Sequence, residues 1–178
     1  MGPAAARQQS SREVSCMTAS GISPYAQHLV DSLGLAKHPE GGWYRRTWQS
    51  SAAATGDATN MGEDSTEGRP LASLIYFLLP AGDASAWHVV DADEAWLWHG
   101  PGAVTLEIAG SGSEPDESQV ERIVLSLDEK GARTQFVVPA GVWQRTVPAD
   151  EDALVSCMVS PGFVYAGFTL ASGQASCE

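Results

Sequence analysis

The 178-residue sequence contains few cysteines and few basic residues, and it lacks any long hydrophobic run. Its three cysteines, Cys16, Cys157 and Cys177, are odd in number and show no CxxC spacing, which argues against a disulfide scaffold or a zinc cluster. No stretch approaches the roughly 18 apolar residues that a membrane-spanning helix needs. Ten basic residues stand against 22 acidic ones, and the net charge of −12 repels phosphate backbones and anionic lipid. We therefore expect neither nucleic acid nor a membrane as a partner.

The N-terminus lacks the apolar centre of a signal peptide, and Ala6 stands where a myristoylation signal requires Ser or Thr. We therefore expect a cytoplasmic protein. The composition predicts a disordered tail over 1–20, one domain over 21–171 and a short C-terminal tail over 172–178. The small, polar and acidic residues 50–70 predict a mobile loop inside that domain.

Short strands separated by turns dominate the pattern, as expected from 18 glycines and ten prolines spread along the chain. Ser23 is placed to cap a helix and Gly34 to end it, so the pattern predicts a short helix over Pro24–Leu33. Nine strands follow, which indicates an all-β barrel or sandwich. The predicted strands are Trp43–Trp48, Leu74–Leu79, Ala86–Val90, Ala95–Trp98, Val104–Ile108, Glu121–Leu127, Gln135–Val138, Ala153–Val159 and Tyr165–Leu170.

The segment Gly82–Gly100 contains the residues best suited to chemistry, His88 and Glu94, which are six positions apart. In a hairpin with its turn at Asp91–Asp93, both side chains would point to the same side. Such a pair can bind a divalent metal, or it can act as a general base with its orienting partner. The alternative is a structural role, with His88 hydrogen-bonded in the mouth of the barrel.

The spacing G-x5-H-x-V-x3-E-x5-G resembles the first cupin motif, in which a second histidine stands at the position of Val90. Residues Pro139–Gln144 resemble the second motif, with Gln144 in place of a third ligand histidine. Further segments resemble one uncharacterised cupin family, called cupin-5 or domain of unknown function 985: HPEGGWYRRTW, IYFLL, WH-x5-EAW, Q-x-VVPAGVWQ and SCMVSPGFVYAGFTL. The resemblance covers about Ala26 to Leu170. It implies an all-β double-stranded β-helix, the cupin jelly-roll barrel, and a homodimer paired through the strand Trp43–Trp48.

The resemblance also implies a small-molecule ligand inside the barrel, with His88 and Glu94 facing the interior. The family is similar in fold to sugar-nucleotide epimerases, which favours an isomerase- or epimerase-like reaction on a small polar or carbohydrate-type molecule. In such a reaction His88 would act as the base, and Glu94 would orient it. Tyr44 or His99 would supply the acid, because His99 shares a strand face with Leu97 and is expected to look into the barrel.

Two other function classes stay open, a metal-dependent cupin enzyme and a non-catalytic binding or sensing protein. The metal ligands would be His88, Glu94 and Gln144, with His99 as a further candidate. Because Val90 and Gln144 replace two histidines, we expect no cofactor, or at most a weakly held divalent metal. The residues expected to contact a ligand are Glu40, Arg45, Trp87, Trp98, Gln135 and Gln144.

Overall fold

The computed structural model describes residues 21–53, 69–128 and 131–172. The predicted N-terminal tail, most of the predicted loop 50–70 and nearly all of the predicted C-terminal tail lie outside the described residues. Within the described ranges the chain forms one α-helix and twelve strands. These elements are α1 (Pro24–Leu33), β1 (Ala36–Lys37), β2 (Trp43–Gln49), β3 (Ser73–Leu79), β4 (His88–Val90), β5 (Asp93–Pro101), β6 (Val104–Ile108), β7 (Glu121–Asp128), β8 (Gly131–Arg133), β9 (Gln135–Val138), β10 (Gln144–Val147), β11 (Ala153–Ser160) and β12 (Phe168–Leu170).

The strands form two six-stranded sheets in which every pair of neighbours is antiparallel. The first sheet has the order β1-β2-β3-β11-β5-β9, and the second has the order β12-β4-β10-β6-β7-β8. Side chains from both sheets meet in one interior core. The predicted all-β jelly-roll barrel with a short N-terminal helix is therefore confirmed.

Helix α1 begins and ends where the sequence predicts. The Ser23 hydroxyl accepts a hydrogen bond from the Ala26 backbone N–H at 3.0 Å, and Gly34 ends the helix in the left-handed conformation with φ 63° and ψ 48°. Ala26 and Val30 are buried against Leu78 on the outer face of the first sheet. In the described ranges, no helix has both the length and the apolar character needed to cross a bilayer.

The barrel interior is apolar at one end and polar at the other. Along β3, Phe77 packs in the apolar core, whereas Ser73 lines a cavity. Along β11, Val155 packs in the core, whereas Val159 lines the same cavity. The inward side chains of one strand thus face the core near one end of the strand and the cavity near the other. The buried core residues are Phe77, Leu79, Trp96, Val104, Leu106, Ile123, Leu125, Val138, Ala153, Val155 and Cys157.

The predicted hairpin between His88 and Glu94 is wrong. Strand β4 pairs with β10 and β12, whereas β5 pairs with β11 and β9. The chain therefore crosses from the second sheet to the first between the two residues. His88 and Glu94 reach the interior from different sheets, and no ladder of hydrogen bonds between β4 and β5 positions them.

Three short strands, β1, β8 and β10, are absent from the sequence prediction. In β10 the two inward residues, Gln144 and Thr146, are polar although both are buried. The usual alternation of apolar and polar residues is therefore hidden there. The predicted strand Tyr165–Leu170 also begins later than expected, because Tyr165–Gly167 forms a 3-10 turn before β12.

Leu78 should be among the costliest positions to truncate. It has no solvent exposure, because α1 covers the outer face of β3. We expect Leu78→Ala to lower the free energy of unfolding by about 2–5 kcal/mol. Leu127, which is 65% exposed, offers a matched control, and Leu127→Ala should cost less than about 0.5 kcal/mol. Urea unfolding measures both, and equal effects of the two changes would contradict the described packing.

Candidate functional site

A cavity of about 590 Å³ opens at the polar end of the barrel. This volume suits a small molecule rather than a polymer. Its inner wall brings together two histidines, two glutamates and a cysteine that are far apart in the sequence. These residues are His38, Glu40, His88, Glu94 and Cys157.

His88, on β4, is held in one tautomer by the backbone. Its Nδ1 lies 2.8 Å from the carbonyl oxygen of Ala86, so Nδ1–H donates and Nε2 is left as an acceptor. The imidazole is buried, and its ring centroid lies 5.6 Å from that of Phe168. Burial lowers the pKa of His88 to about 4, although the hydrogen bond to Ala86 opposes the shift. The ring is therefore neutral at physiological pH.

Glu40 connects the two histidines of the cavity. One of its carboxyl oxygens, Oε2, lies 3.4 Å from His88 Nε2 and 3.5 Å from His38 Nδ1. Burial, and then the charge of Glu94, raise the pKa of Glu40 well above its usual value. Burial, and then the charge of His88, lower the pKa of His38 to about 4. Burial thus disfavours the charged forms of Glu40 and of both histidines that it contacts.

The turn that carries Glu40 requires a glycine at position 41. Gly41 has φ +107°, and a Cβ there would lie 2.2 Å from the carbonyl oxygen of Ala84. The Ala86 N–H donates to the Glu40 carbonyl oxygen at 2.7 Å, which ties the turn to the segment before β4. The HPEGG run is thus a turn, and it also places the Glu40 carboxyl beside the His88 ring.

Glu94, on β5, is held by hydrogen bonds from two other strands. Gln144 Nε2 donates to Glu94 Oε2 at 2.6 Å, and the Cys157 thiol also bonds to this carboxyl. Gln144 Oε1 in turn accepts from Trp96 Nε1 at 2.9 Å. Burial raises the pKa of Glu94 to about 7, although both hydrogen bonds oppose the shift. Burial, and then the charges of Glu94 and Glu40, raise the pKa of Cys157 well above 9, so it stays a thiol.

Two tyrosines and an arginine stand at the mouth of the cavity. The hydroxyl oxygens of Tyr44 and Tyr165 lie 3.2 Å apart, and this hydrogen bond raises the pKa of Tyr165. Arg46, the next inward position of β2 after Tyr44, donates to the carbonyl oxygen of Phe163 at 3.3 Å. The mouth therefore offers hydroxyl and guanidinium donors to a ligand.

Five of the residues predicted from the sequence line the cavity: Glu40, Tyr44, Arg45, His88 and Glu94. Arg45 lies at the rim, where its guanidinium donates to the carbonyl oxygen of Leu33 at 2.8 Å and so holds the end of α1. Gln144 stands behind Glu94. His88 is fixed by its Nδ1–H, which donates to the Ala86 carbonyl oxygen, and by the Glu40 carboxyl beside its Nε2. The expectation that Glu94 orients His88 therefore does not match the contacts of His88.

The expectation that His99 looks into the barrel is wrong. His99 does share a face of β5 with Leu97, but the inward positions of this strand are Glu94, Trp96 and Trp98. His99 is exposed, and its Nε2 lies 2.7 Å from the hydroxyl oxygen of Ser156. We therefore exclude His99 from the site.

Trp87, Trp98 and Gln135 also lie outside the cavity, contrary to expectation. Trp87 is buried in a separate cluster, with the Arg145 guanidinium 4.5 Å from its ring centroid. Trp98 packs on the apolar core, and its Nε1 donates to the carbonyl oxygen of Gly102 at 2.7 Å. Gln135 is exposed on β9, the edge strand of the first sheet.

Several residues of the site were not predicted from the sequence. His38 could have been predicted, because it lies in the same run as Glu40. Arg46 could also have been predicted, because it lies two positions after Tyr44 on the same face of a strand. Cys157 had no usable signal, because it is a lone cysteine within a hydrophobic strand. Tyr165 had no signal, because only the return of the chain after β11 brings it to the mouth.

The comparisons with known proteins agree with this fold. The profile of Cupin_5, described as Cupin superfamily (DUF985), matches residues 27–171. The chain belongs to this family. It is 31% identical over 159 residues to the uncharacterised protein YML079W of Saccharomyces cerevisiae, covering 83% of this cupin and 76% of the yeast protein.

Two solved structures are also similar to this cupin. Protein SO0799 of Shewanella oneidensis is 34% identical, with a TM-score of 0.67, over 83% of this chain and 84% of that one. A hypothetical protein from Leishmania major is 27% identical, with the same TM-score of 0.67, over 81% and 85% of the two chains. The comparisons establish a cupin of the DUF985 family with unassigned function.

The side chains do not fit the metal site that many cupins carry. In residues 21–53, 69–128 and 131–172, no group of three or more His, Cys, Asp or Glu is arranged to hold a metal ion. The suggested ligand Gln144 uses its oxygen to accept from Trp96, and Val90 offers only an apolar side chain. We therefore derive no step through a metal.

Replacing Glu94 should change how stability depends on pH. The pKa of Glu94 is about 7 in the folded protein and 4.5 in a model peptide, so the folded state keeps a proton that the unfolded chain loses. The contribution of Glu94 to stability is thus full below pH 4.5 and is lost as the pH rises through 7. We expect Glu94→Gln to gain up to about 3 kcal/mol relative to the wild type across this window.

Urea unfolding at pH 4.5 and pH 8 measures this difference. Glu117→Gln, which replaces an exposed carboxylate, is the control for a simple change of charge. A difference between Glu94→Gln and wild type that is the same at both pH values would contradict the raised pKa of Glu94.

Proposed function

We propose that this cupin binds a small polar, carbohydrate-type molecule and transfers protons on it, in an isomerase- or epimerase-like reaction. One observation carries this proposal. Two proton-exchanging groups, Glu94 and the His88–Glu40 pair, line one cavity and belong to its two facing sheets. A molecule in this cavity can contact both groups, which reach it from different sheets.

This arrangement matches the chemistry of inversion at a carbon atom, in which a proton leaves one face and another arrives on the opposite face. With a pKa of about 7, Glu94 takes up and releases a proton readily at physiological pH. In one direction the Glu94 carboxylate accepts a proton from a carbon next to a carbonyl group. The His88–Glu40 pair then returns a proton to the other face of that carbon, and the reverse reaction exchanges the two roles.

The walls of the cavity also suit a sugar-like molecule. Val90, Val159 and Phe168 present apolar surface that can cover the C–H face of a ring. The hydroxyl groups of Tyr44 and Ser73 offer hydrogen bonds to ring hydroxyls. Apolar walls with a few convergent polar groups are typical of small-molecule sites.

A non-catalytic binding protein is the second candidate, and one observation favours it. The inner polar groups already satisfy one another: Glu94 bonds to Gln144 and Cys157, and His88 bonds to Ala86. A pocket with such internal partners can recognise a ligand without reacting with it.

The experiment that separates the two candidates measures the uptake of solvent deuterium. The protein is incubated in D₂O with a panel of sugars, sugar acids and sugar phosphates, and carbon-bound deuterium is followed by NMR. We expect incorporation with wild type and at least about a hundredfold less with His88→Gln or Glu94→Gln. His99→Gln is the matched control, because His99 is a histidine outside the cavity. Treatment with a chelator should leave the rate unchanged.

Binding is measured on the same panel by thermal shift. A compound that binds to the wild type but takes up no deuterium would support the binding candidate and contradict proton transfer. Equal rates for His88→Gln and His99→Gln would contradict the assignment of His88.

We also propose a homodimer that pairs through β2. Strand β1 pairs only with Trp43 and Tyr44, so in the described part of the chain the remainder of that edge of β2 has no neighbouring strand. Trp48 on this strand is 51% exposed. Static light scattering at micromolar concentration should therefore give about twice the chain mass of 18.8 kDa, and Trp48→Lys should lower it. A monomer mass for the wild type would contradict the proposal.

A further inference from the structure

We infer that the ligand of this cavity carries an anionic group, a carboxylate or a phosphate, which binds to Arg46 at the mouth. The inference rests on the proposed function and deepens it, because it narrows the substrate from a neutral sugar to a sugar acid or sugar phosphate.

The first reason is that Arg46 has no acidic partner among the residues described. Its guanidinium contacts only neutral oxygens there, the side-chain oxygen of Gln49 and the carbonyl oxygen of Phe163, each at 3.3 Å. Within the described ranges, such long contacts to neutral acceptors do not compensate its charge. A chain with 22 acidic residues has many that could have paired with it.

Three other arginines of the described chain are paired with carboxylates. Arg69 lies 2.7 Å from Asp91, and Arg122 and Arg145 lie 2.6 and 2.7 Å from Glu107. In these three cases a carboxylate close to a guanidinium forms a short ion pair with it. Arg46 differs from them in that it lines the cavity, where a ligand can supply the missing anion.

The second reason is the charge of the cavity itself. Burial raises the pKa values of Glu40 and Glu94, so the inner carboxyls oppose an entering anion much less than surface carboxylates would. Arg45, the other arginine of the wall, donates to the end of α1. The guanidinium of Arg46 is thus the cationic group available at the mouth, although the whole chain has a net charge of −12.

The third reason is the placement of Arg46 beside a second donor. The positive charge of Arg46 opposes the raised pKa of Tyr165, so the guanidinium lies near that phenol. Tyr165 and Arg46 also line the same cavity. A carboxylate or phosphate can accept hydrogen bonds from both groups, and guanidinium donors suit these anions because their paired N–H groups match two oxygens. The remainder of the ligand then extends inward toward His88 and Glu94.

The test uses the full-length protein and four probes: glucose, glucuronate, glucose 1-phosphate and inorganic phosphate. Dissociation constants are measured by calorimetry at low and at high salt. We expect glucuronate or glucose 1-phosphate to bind at least about tenfold more tightly than glucose. Arg46→Gln should remove this preference, and Arg46→Lys should restore part of it. Arg133→Gln, which removes an exposed arginine outside the cavity, should retain it.

The probes also distinguish the two anions. Preference for glucuronate identifies a carboxylate site, and preference for glucose 1-phosphate or inorganic phosphate identifies a phosphate site. If no anion binds more tightly than glucose, or if Arg46→Gln and Arg133→Gln weaken binding equally, the inference is wrong.

The experiments distinguish a failure of the anion-site inference from a failure of the proposed proton transfer. The same titrations on His88→Gln should show an unchanged preference for the anion, because this variant keeps Arg46. Anion preference without uptake of deuterium would support this inference and contradict proton transfer. If deuterium enters glucose and Arg46→Gln does not change the rate, proton transfer is supported and the anion site is contradicted.

Discussion

The hydrogen bond from Gln144 to Glu94 joins the two sheets inside the barrel, and the cavity depends on it. A carboxyl buried without partners would cost several kcal/mol, so Glu94 requires this donor. The same amide accepts from Trp96, which belongs to the apolar core. Because an amide has a donor at one end and an acceptor at the other, Gln144 can satisfy both neighbours at once. The boundary between the core and the polar cavity therefore lies at Gln144.

The same bonding explains why these side chains do not fit a metal ion. Turning the Gln144 oxygen toward a metal would leave the buried Trp96 N–H without its acceptor, at a cost of about 1–3 kcal/mol. It would also remove the donor that holds Glu94 in place. Two strong ligands, His88 and Glu94, would then remain, and two ligands rarely hold a transition metal tightly. Gln144 thus weakens the metal site and holds Glu94 in place, while burial of the carboxyl raises the pKa of Glu94.

Much of the fold could be predicted from local patterns, because these record local physics. The caps of α1 and the alternation in β6 are set by residues within one turn or one strand. The pairing of β4 could not be read locally. A turn between two strands can reverse within a sheet or cross to another sheet, and here the choice depends on β10 and β12, more than 50 residues further along the chain.

The candidate site shows the same division. The motif spacing identified His88 and Glu94, which lie close together in the sequence. It could not identify Cys157 as a cavity residue, because the contact between Cys157 and Glu94 arises from the pairing of β11 with β5. The period of two correctly placed His99 on the same face of β5 as Leu97. It could not show that the opposite face, with Trp96 and Trp98, is the one that packs on the core.

The buried ionisable groups balance one another, and this balance shapes what the cavity can accept. Because the pKa values of His38 and His88 are lowered to about 4, their contribution to stability is lost as the pH falls from 6.5 toward 4. Because the pKa of Glu94 is raised, its contribution is lost in the opposite direction, as the pH rises toward 7. Between these limits burial disfavours the charged forms of these inner groups, while the chain as a whole carries a net charge of −12. An anion that passes Arg46 therefore enters a region less repulsive than the solvent-facing surface, and it meets groups that can still exchange protons.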